Sequence, residues 1–173
     1  LGVADRRFIN HNELMRVVGP AGKTLIVHAD PTQLNAHMKV LSPDDARAID
    51  RLTEGIHTFM DFDLTVLQQK PRSIMNAKEW ANFGRHVLPY SRPLANFGRL
   101  TAREFAAQFK DPFLQRAIVP MFGWPDIPVM VGMFLLAYTA NGNAGFPVGG
   151  SLAFAQDIER RYLQLGGRIH YRK

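Results

Sequence analysis

Cysteine is entirely absent from this sequence of 173 residues. Its absence excludes disulfide bonds, thiolate catalysis, and zinc or iron–sulfur sites that depend on cysteine ligands. No Gly-x-Gly-x-x-Gly motif occurs, and Gly22-Lys23-Thr24 lacks the upstream glycine of a Walker motif. The sequence therefore contains neither of the glycine-rich signatures by which nucleotide-binding folds are usually recognised.

Long apolar runs and concentrated charge are also lacking. The longest apolar stretch, Ile127 to Ala140, is interrupted by Pro128, Gly132 and Thr139 and is too short to cross a bilayer. The net charge is +6, but the basic residues are scattered and form no stripe with aromatic residues. Nucleic-acid binding is therefore not expected. With no signal-peptide pattern, we expect a cytoplasmic protein, with peripheral membrane contact as an alternative.

What remains has the composition of a globular protein. Apolar residues make up 46% and charged residues 21% of the sequence. We expect residues 1–173 to form a single domain, of a size that one hydrophobic core can support.

Two strands are predicted near the start of the chain. Residues 8–18 and 23–28 have strand character, and Gly19-Pro20-Ala21-Gly22 between them is typical of a turn, so an antiparallel hairpin is expected. A third strand is predicted to begin at Arg168 and to join the same small sheet.

Helices are predicted from capping signals and apolar periodicity. The start signals are Asp30-Pro31, Ser42-Pro43, Asn76-x-x-Glu79, Thr101-x-x-Glu104 and Asp111-Pro112. The run after Ser42 predicts a helix to about Gln68, with Ile49, Leu52, Ile56, Phe59, Met60, Leu64 and Leu67 on one stripe. Pro120 to Pro128 holds three prolines and one glycine and should form an irregular turn. A helix from Val129 to about Tyr138 should be apolar on almost every side. The predicted fold class is α+β, a small antiparallel or mixed sheet packed with about six helices.

No pattern identifies a catalytic centre or a metal site. None of the six histidines has the spacing of a helical zinc site, so no metal is expected. Ser151 lacks the Gly-x-Ser-x-Gly context of an activated nucleophile and is better explained as a helix N-cap. Asp44 and Asp45 are explained by the positive end of a helix dipole. Catalytic residues therefore stay unassigned.

Residues 144–173 carry the most informative pattern. Phe146-Pro147-Val148-Gly149-Gly150-Ser151 precedes an amphipathic run to Leu165, and Gly166-Gly167 follows it. Glycine pairs at both ends predict a tight turn, a helix and a helix stop.

These motifs resemble the middle of FAD-dependent phytoene desaturases and carotenoid isomerases, within a wider amine-oxidase-like superfamily. Upstream, the stretches Gly19-Pro20-Ala21-Gly22-Lys23, His28-Ala29-Asp30-Pro31, Leu41-Ser42-Pro43-Asp44 and Asp111-Pro112-Phe113 follow the order that this family uses. The resemblance covers nearly the whole chain.

The resemblance implies an oxidoreductase that transfers hydride between FAD and a hydrophobic substrate. In that family the flavin is held by segments from both ends of the polypeptide, and neither is found here. The chain is therefore expected to be the substrate-binding domain, a fragment of a longer flavoprotein that is inactive alone and binds no cofactor itself. Its expected partners are a hydrophobic small molecule and the missing flavin domain of the same protein.

Soft apolar side chains between Met121 and Tyr138 suggest where a substrate would lie. Methionine and aromatic groups adapt to varied apolar shapes and can line a tunnel, although a plain core helix has the same composition. With the Pro147–Gly150 turn, they give the substrate-pocket candidates Trp124, Met130, Met133, Phe134, Tyr138, Pro147, Gly149 and Gly150.

Two further functions stay open at this point. The chain could be a non-catalytic lipid- or membrane-surface module that uses the apolar segment and the +6 charge. It could also be a protein-interaction module whose apolar segment forms the seam of a dimer.

Overall fold

A computed structural model describes residues 5–63, 65–68 and 70–171 of the chain. Within those ranges the fold is α+β, as predicted: helices pack with two small antiparallel sheets of two strands each. The strands are Phe8–Ile9 (β1), Glu13–Val18 (β2), Thr24–His28 (β3) and Phe146–Pro147 (β4). The predicted hairpin is β2–β3, in which Arg16 pairs with Ile26 and Val18 with Thr24.

The helices follow the predicted start signals closely. They are Pro31–Leu41 (α1), Ala46–Met60 (α2), Thr65–Gln68 (α3), Ala77–Val87 (α4), Ser91–Gly98 (α5), Ala102–Ala106 (α6), Pro112–Phe122 (α7), Val129–Ala140 (α8) and Gly150–Gln164 (α9). Asp30 and Asp111 cap α1 and α7 by accepting hydrogen bonds from backbone N–H groups. Both predicted capping boxes form with their reciprocal bonds, Asn76 with Glu79 and Thr101 with Glu104.

The core lies around α2, which packs between α1 and α8. Its apolar stripe is fully covered, because Ile49, Leu52, Ile56 and Phe59 are each at most 1% exposed. The ring of Phe59 lies 4.3 Å from that of Phe134 on α8, between centroids. Further buried side chains come from β3, α1, α6 and α7, among them Leu25, Val27, Leu34, Met38, Phe105, Leu114 and Ile118.

Helix α2 ends earlier than the sequence predicts. It stops at Met60, because Phe62 turns inward to 5% exposure and the Asp63 carboxylate accepts hydrogen bonds from the Thr65 N–H and hydroxyl, which starts α3. The predicted single helix to Gln68 is therefore wrong. Of its stripe, Leu64 and the side chain of Leu67 lie outside the described residues.

The end of α7 also differs from the prediction. The segment from Pro120 was expected to be irregular, yet α7 continues through Pro120 to Phe122. Proline is tolerated there because the carbonyl that loses its donor belongs to the exposed Arg116, which water can reach. The helix closes at Gly123, whose N–H donates to the Val119 carbonyl and whose φ of 107° turns the following chain away from the helix.

The sheet prediction is correct for the hairpin and wrong for its third strand. Residues 168–171 form no strand, and they have no strand partner among the described residues. A separate pairing joins β1 to β4, with Phe8 opposite Pro147 and Ile9 opposite Phe146. This contact connects the start of the described chain to its last quarter. Sequence pattern did not predict it, because both strands are too short to show alternation.

In the described ranges, no helix combines the length and the apolar character needed to cross a bilayer.

Candidate functional site

The turn from Pro147 to Gly150 has a backbone that only glycine adopts readily. Gly149 has φ of 89° and Gly150 has φ of 78°, both in the left-handed region. Helix α9 begins at Gly150 with Gly149 as its N-cap residue, and no side chain caps it. Ser151 lies exposed inside the first turn, so its predicted N-cap role is wrong. In the part of the chain that the structure describes, no side chain accepts a hydrogen bond from the start of α9.

Arg6 holds this turn in place from a distant part of the chain. Its guanidinium donates to the backbone carbonyls of Val148 and Ala153 and to the Asp157 carboxylate, and its side chain is 15% exposed. The hydrogen bond from Arg6 lowers the pKa of Asp157, so that carboxylate is ionised at neutral pH. One planar side chain thereby joins the Pro147–Gly150 turn to the first two turns of α9.

Apolar side chains surround the turn and remain open to solvent. Phe146 is 65%, Val148 45% and Leu152 71% exposed. Phe8 on β1 packs edge-on against Phe154 of α9, with ring centroids 6.3 Å apart, and is itself 46% exposed. The turn therefore stands in an apolar surface rather than in the charged surface typical of a loop.

Open space lies above the second glycine. Counting only the described residues, a Cβ atom placed on Gly150 would meet nothing within 4 Å, whereas one on Gly149 would lie 3.2 Å from the Arg6 guanidinium. A flat ligand or another segment of protein can therefore approach the Gly150 backbone closely, while Gly149 is covered by Arg6.

The α8 candidates do not share one surface. Met133 is fully buried and Phe134 is 9% exposed, so both belong to the core that faces α2. Met130 and Tyr138 are half-buried, and Trp124 is 62% exposed in the loop before α8. These residues do not form a continuous wall with the Pro147–Gly150 turn. Their role in a substrate pocket stays a prediction.

A groove that the sequence did not predict lies near β1. Its volume is about 410 Å³, and four separate segments form it, residues 10–12, 29–31, 57–60 and 139–142. His11, His57 and Asp30 contribute polar groups, and Met60 and Pro31 contribute apolar surface. The His11 ring lies 5.5 Å from the Phe146 ring, between centroids, so the groove adjoins the apolar surface of the turn. Only the tertiary fold brings these residues together, so no local pattern could have identified them.

The described residues do not fit a resident metal or dinucleotide. No group of three or more His, Asp or Glu side chains in the described ranges could hold a metal ion. The described strands pair only antiparallel, so no parallel strand–helix–strand unit forms to carry a dinucleotide. We therefore assign no FAD contact to the described residues.

No protein-family model, no curated protein and no solved structure matches this chain.

Proposed function

We propose that this chain supplies the substrate-binding part of an FAD-dependent oxidoreductase similar to phytoene desaturase, acting on a hydrophobic substrate. The observation that carries the proposal is the Pro147–Gly150 turn, which stands in exposed apolar surface with open space above Gly150. The turn is also the point at which the motif order resembles that family most closely.

Under this proposal the chain binds and orients an apolar molecule and leaves the redox chemistry to the flavin. FAD would accept or supply the hydride. The FAD itself would be held by segments of the same protein other than those described above. The apolar surface formed by Phe146, Val148 and Leu152 would remove part of the substrate from water. The chain alone is then expected to be catalytically inactive.

A matched pair of glycine variants tests the role of the turn. Gly150 and Gly166 both have positive φ, 78° and 87°, and a Cβ on either meets nothing within 4 Å, so Gly150→Ala and Gly166→Ala introduce similar backbone strain. Only Gly150 lies in the proposed substrate surface. In the protein expressed from its whole open reading frame, Gly150→Ala should slow the bleaching of the flavin by an added polyene hydrocarbon at least about tenfold, and Gly166→Ala should not.

Two results would count against this assignment. Equal rates of flavin bleaching in the Gly150→Ala and Gly166→Ala proteins would show that the Pro147–Gly150 turn does not contact the substrate. A bound flavin that no hydrophobic compound either reduces or reoxidises would argue against a hydrophobic substrate.

A second candidate, a protein-interaction module, is favoured by the outer side of α8. This helix is apolar almost all round, and Val131 and Leu135, one turn apart, are 46% and 58% exposed. A helix that is apolar on every side is normally covered on every side. Light scattering of the wild-type chain and of Leu135→Glu tests this candidate. A wild-type dimer and a monomeric Leu135→Glu variant would support it, and two monomers would reject it.

A further inference from the structure

A second groove lies on the side of α2 that faces away from the core. The proposed function does not account for the charged side chains that line it. The groove has a volume of about 340 Å³ and lies between the start of α2 and the residues that join α6 to α7. Three cationic side chains line it, Arg47, Arg51 and Lys110.

Among the described residues, the Arg51 guanidinium contacts a neutral amide and an aromatic ring rather than a carboxylate. Its Nη1 donates to the Gln108 side-chain oxygen over 2.8 Å, and its guanidinium carbon lies 5.2 Å from the centre of the Phe97 ring. The side chain is half-buried, yet within the described ranges no carboxylate oxygen lies within 4.0 Å of its nitrogens. Partly buried guanidinium groups usually pair with a carboxylate, and here the partner is a neutral amide.

Two neighbouring cations, Arg47 and Lys110, add to the positive charge around Arg51. Arg47 precedes Arg51 by one helical turn on α2, and like charges at that spacing repel each other. The backbone of Lys110 is held beside the start of α2, because the Asp45 carboxylate accepts hydrogen bonds from the backbone N–H groups of Lys110 and Asp111, and the Lys110 side chain is exposed at the groove. Asp44 and Asp45 also line the groove, so its three cations face two carboxylates. In the described part of the chain neither carboxylate makes an ion pair with these cations, and that of Asp45 is bonded to backbone N–H groups instead.

We propose that this groove is a binding site for a phosphate group, with Arg51 as its central ligand and Arg47 and Lys110 as flanking cations. A phosphate accepts several hydrogen bonds at once and matches the planar donor set of arginine. Binding would supply the anion that Arg51 lacks and relieve the repulsion between Arg47 and Arg51. The phosphate could belong to a soluble phosphorylated molecule or to a lipid headgroup, and the chemistry of recognition is the same.

Titration with inorganic pyrophosphate at low salt, followed by amide NMR shifts, tests the site. Arg51→Gln should weaken binding at least about tenfold, the loss expected for one charge-assisted contact. Arg47→Gln is a second variant in which the exposed side chain leaves no packing defect. The matched control is Arg161→Gln, which removes an identical charge from the exposed surface of α9.

A parallel measurement distinguishes the sources of the phosphate. Vesicles of phosphatidylcholine with and without phosphatidic acid are sedimented with the wild-type protein and with the same variants. Either of two results supports the site: the protein binds pyrophosphate, or it binds only the vesicles that contain phosphatidic acid. In both cases Arg51→Gln and Arg47→Gln must weaken that binding, and Arg161→Gln must not. Binding of neither probe overturns the proposal. Equal weakening by all three variants also overturns it, because binding would then follow net charge alone.

Discussion

At the residue scale, single charged side chains connect parts of the chain that are far apart in sequence. Arg6 joins the Pro147–Gly150 turn to Asp157, and Asp45 joins the start of α2 to the backbone at Lys110 and Asp111. Both contacts use several hydrogen bonds to an ionised group, which are stronger than bonds between neutral groups. These two residues therefore carry the sharpest predictions for stability.

Asp45 should contribute to stability much more than its neighbour Asp44. Burial would raise the pKa of Asp45, but hydrogen bonds from the backbone of Lys110 and Asp111 and from the Ser42 hydroxyl outweigh it and lower the pKa below the usual 3.8. Asp45→Asn should reduce the free energy of unfolding at pH 7 by about 3 kcal/mol. Asp44→Asn, at an exposed position, should change it by less than about 0.5 kcal/mol. Urea unfolding measures both.

The pH dependence of that contribution has a definite sign. Because the pKa of Asp45 is lower in the folded state, its stabilisation is complete above the ordinary value of 3.8 and is lost as pH falls through the folded-state pKa. Wild-type stability should therefore fall more steeply than that of Asp45→Asn as pH drops below that value. Parallel curves for the two proteins would show that Asp45 is not the group that titrates.

Arg6 should control the order of α9 rather than global stability. Helix α9 has no buried residue, and among the described residues it contacts mainly β4 and Phe8 of β1, so the polar contacts of Arg6 are expected to contribute much of its attachment. Arg6→Ala should speed hydrogen exchange of the α9 amides about tenfold or more and leave α2 unchanged. Arg160→Ala is the control, because Arg160 pairs with the same Asp157 but is 66% exposed. Unchanged exchange in Arg6→Ala would contradict the role given to this residue.

At the scale of the helix or strand, local sequence predicted how helices begin and long-range packing decided where they end. The Asn76–Glu79 and Thr101–Glu104 boxes each use residues three positions apart, so the sequence alone could indicate them. The end of α2 depends on Phe62 entering a ring cluster with Tyr90 and Phe134, which lie far along the chain. The same limit applies to the candidate site. Its glycine turn was predicted, whereas Arg6 and the His11–His57 groove were not.

Two helix glycines should respond in opposite directions to the same substitution. A Cβ on Gly132 of α8 would lie 1.9 Å from the ring of the buried Phe122, and one on Gly84 of α4 would meet nothing within 4 Å. Gly84→Ala should raise the free energy of unfolding by about 0.5–1 kcal/mol through helix propensity. Gly132→Ala should lower it by about 1–3 kcal/mol, because overpacking outweighs that gain. Thermal or urea unfolding that moves both variants in one direction would contradict the packing of α8 against α7.

At the scale of the whole molecule, the buried core and the exposed apolar surface lie in different places. The core is built around α2, α8 and the β2–β3 hairpin, whereas the described residues of the last segment, from Phe146 to Tyr171, contribute no buried side chain. Exposed apolar residues accumulate in that segment, including Leu152, Tyr162, Leu165 and Tyr171. A surface of this kind fits a chain whose last segment works against a substrate or another part of the same protein.

The most direct test of that account is the visible absorbance spectrum of the protein purified from its whole open reading frame. The proposal predicts the absorbance bands of a bound flavin at close to one flavin per chain, which the residues 1–173 alone should not retain. A colourless protein that does not acquire these bands on incubation with FAD would contradict the claim that this chain is part of a flavoprotein.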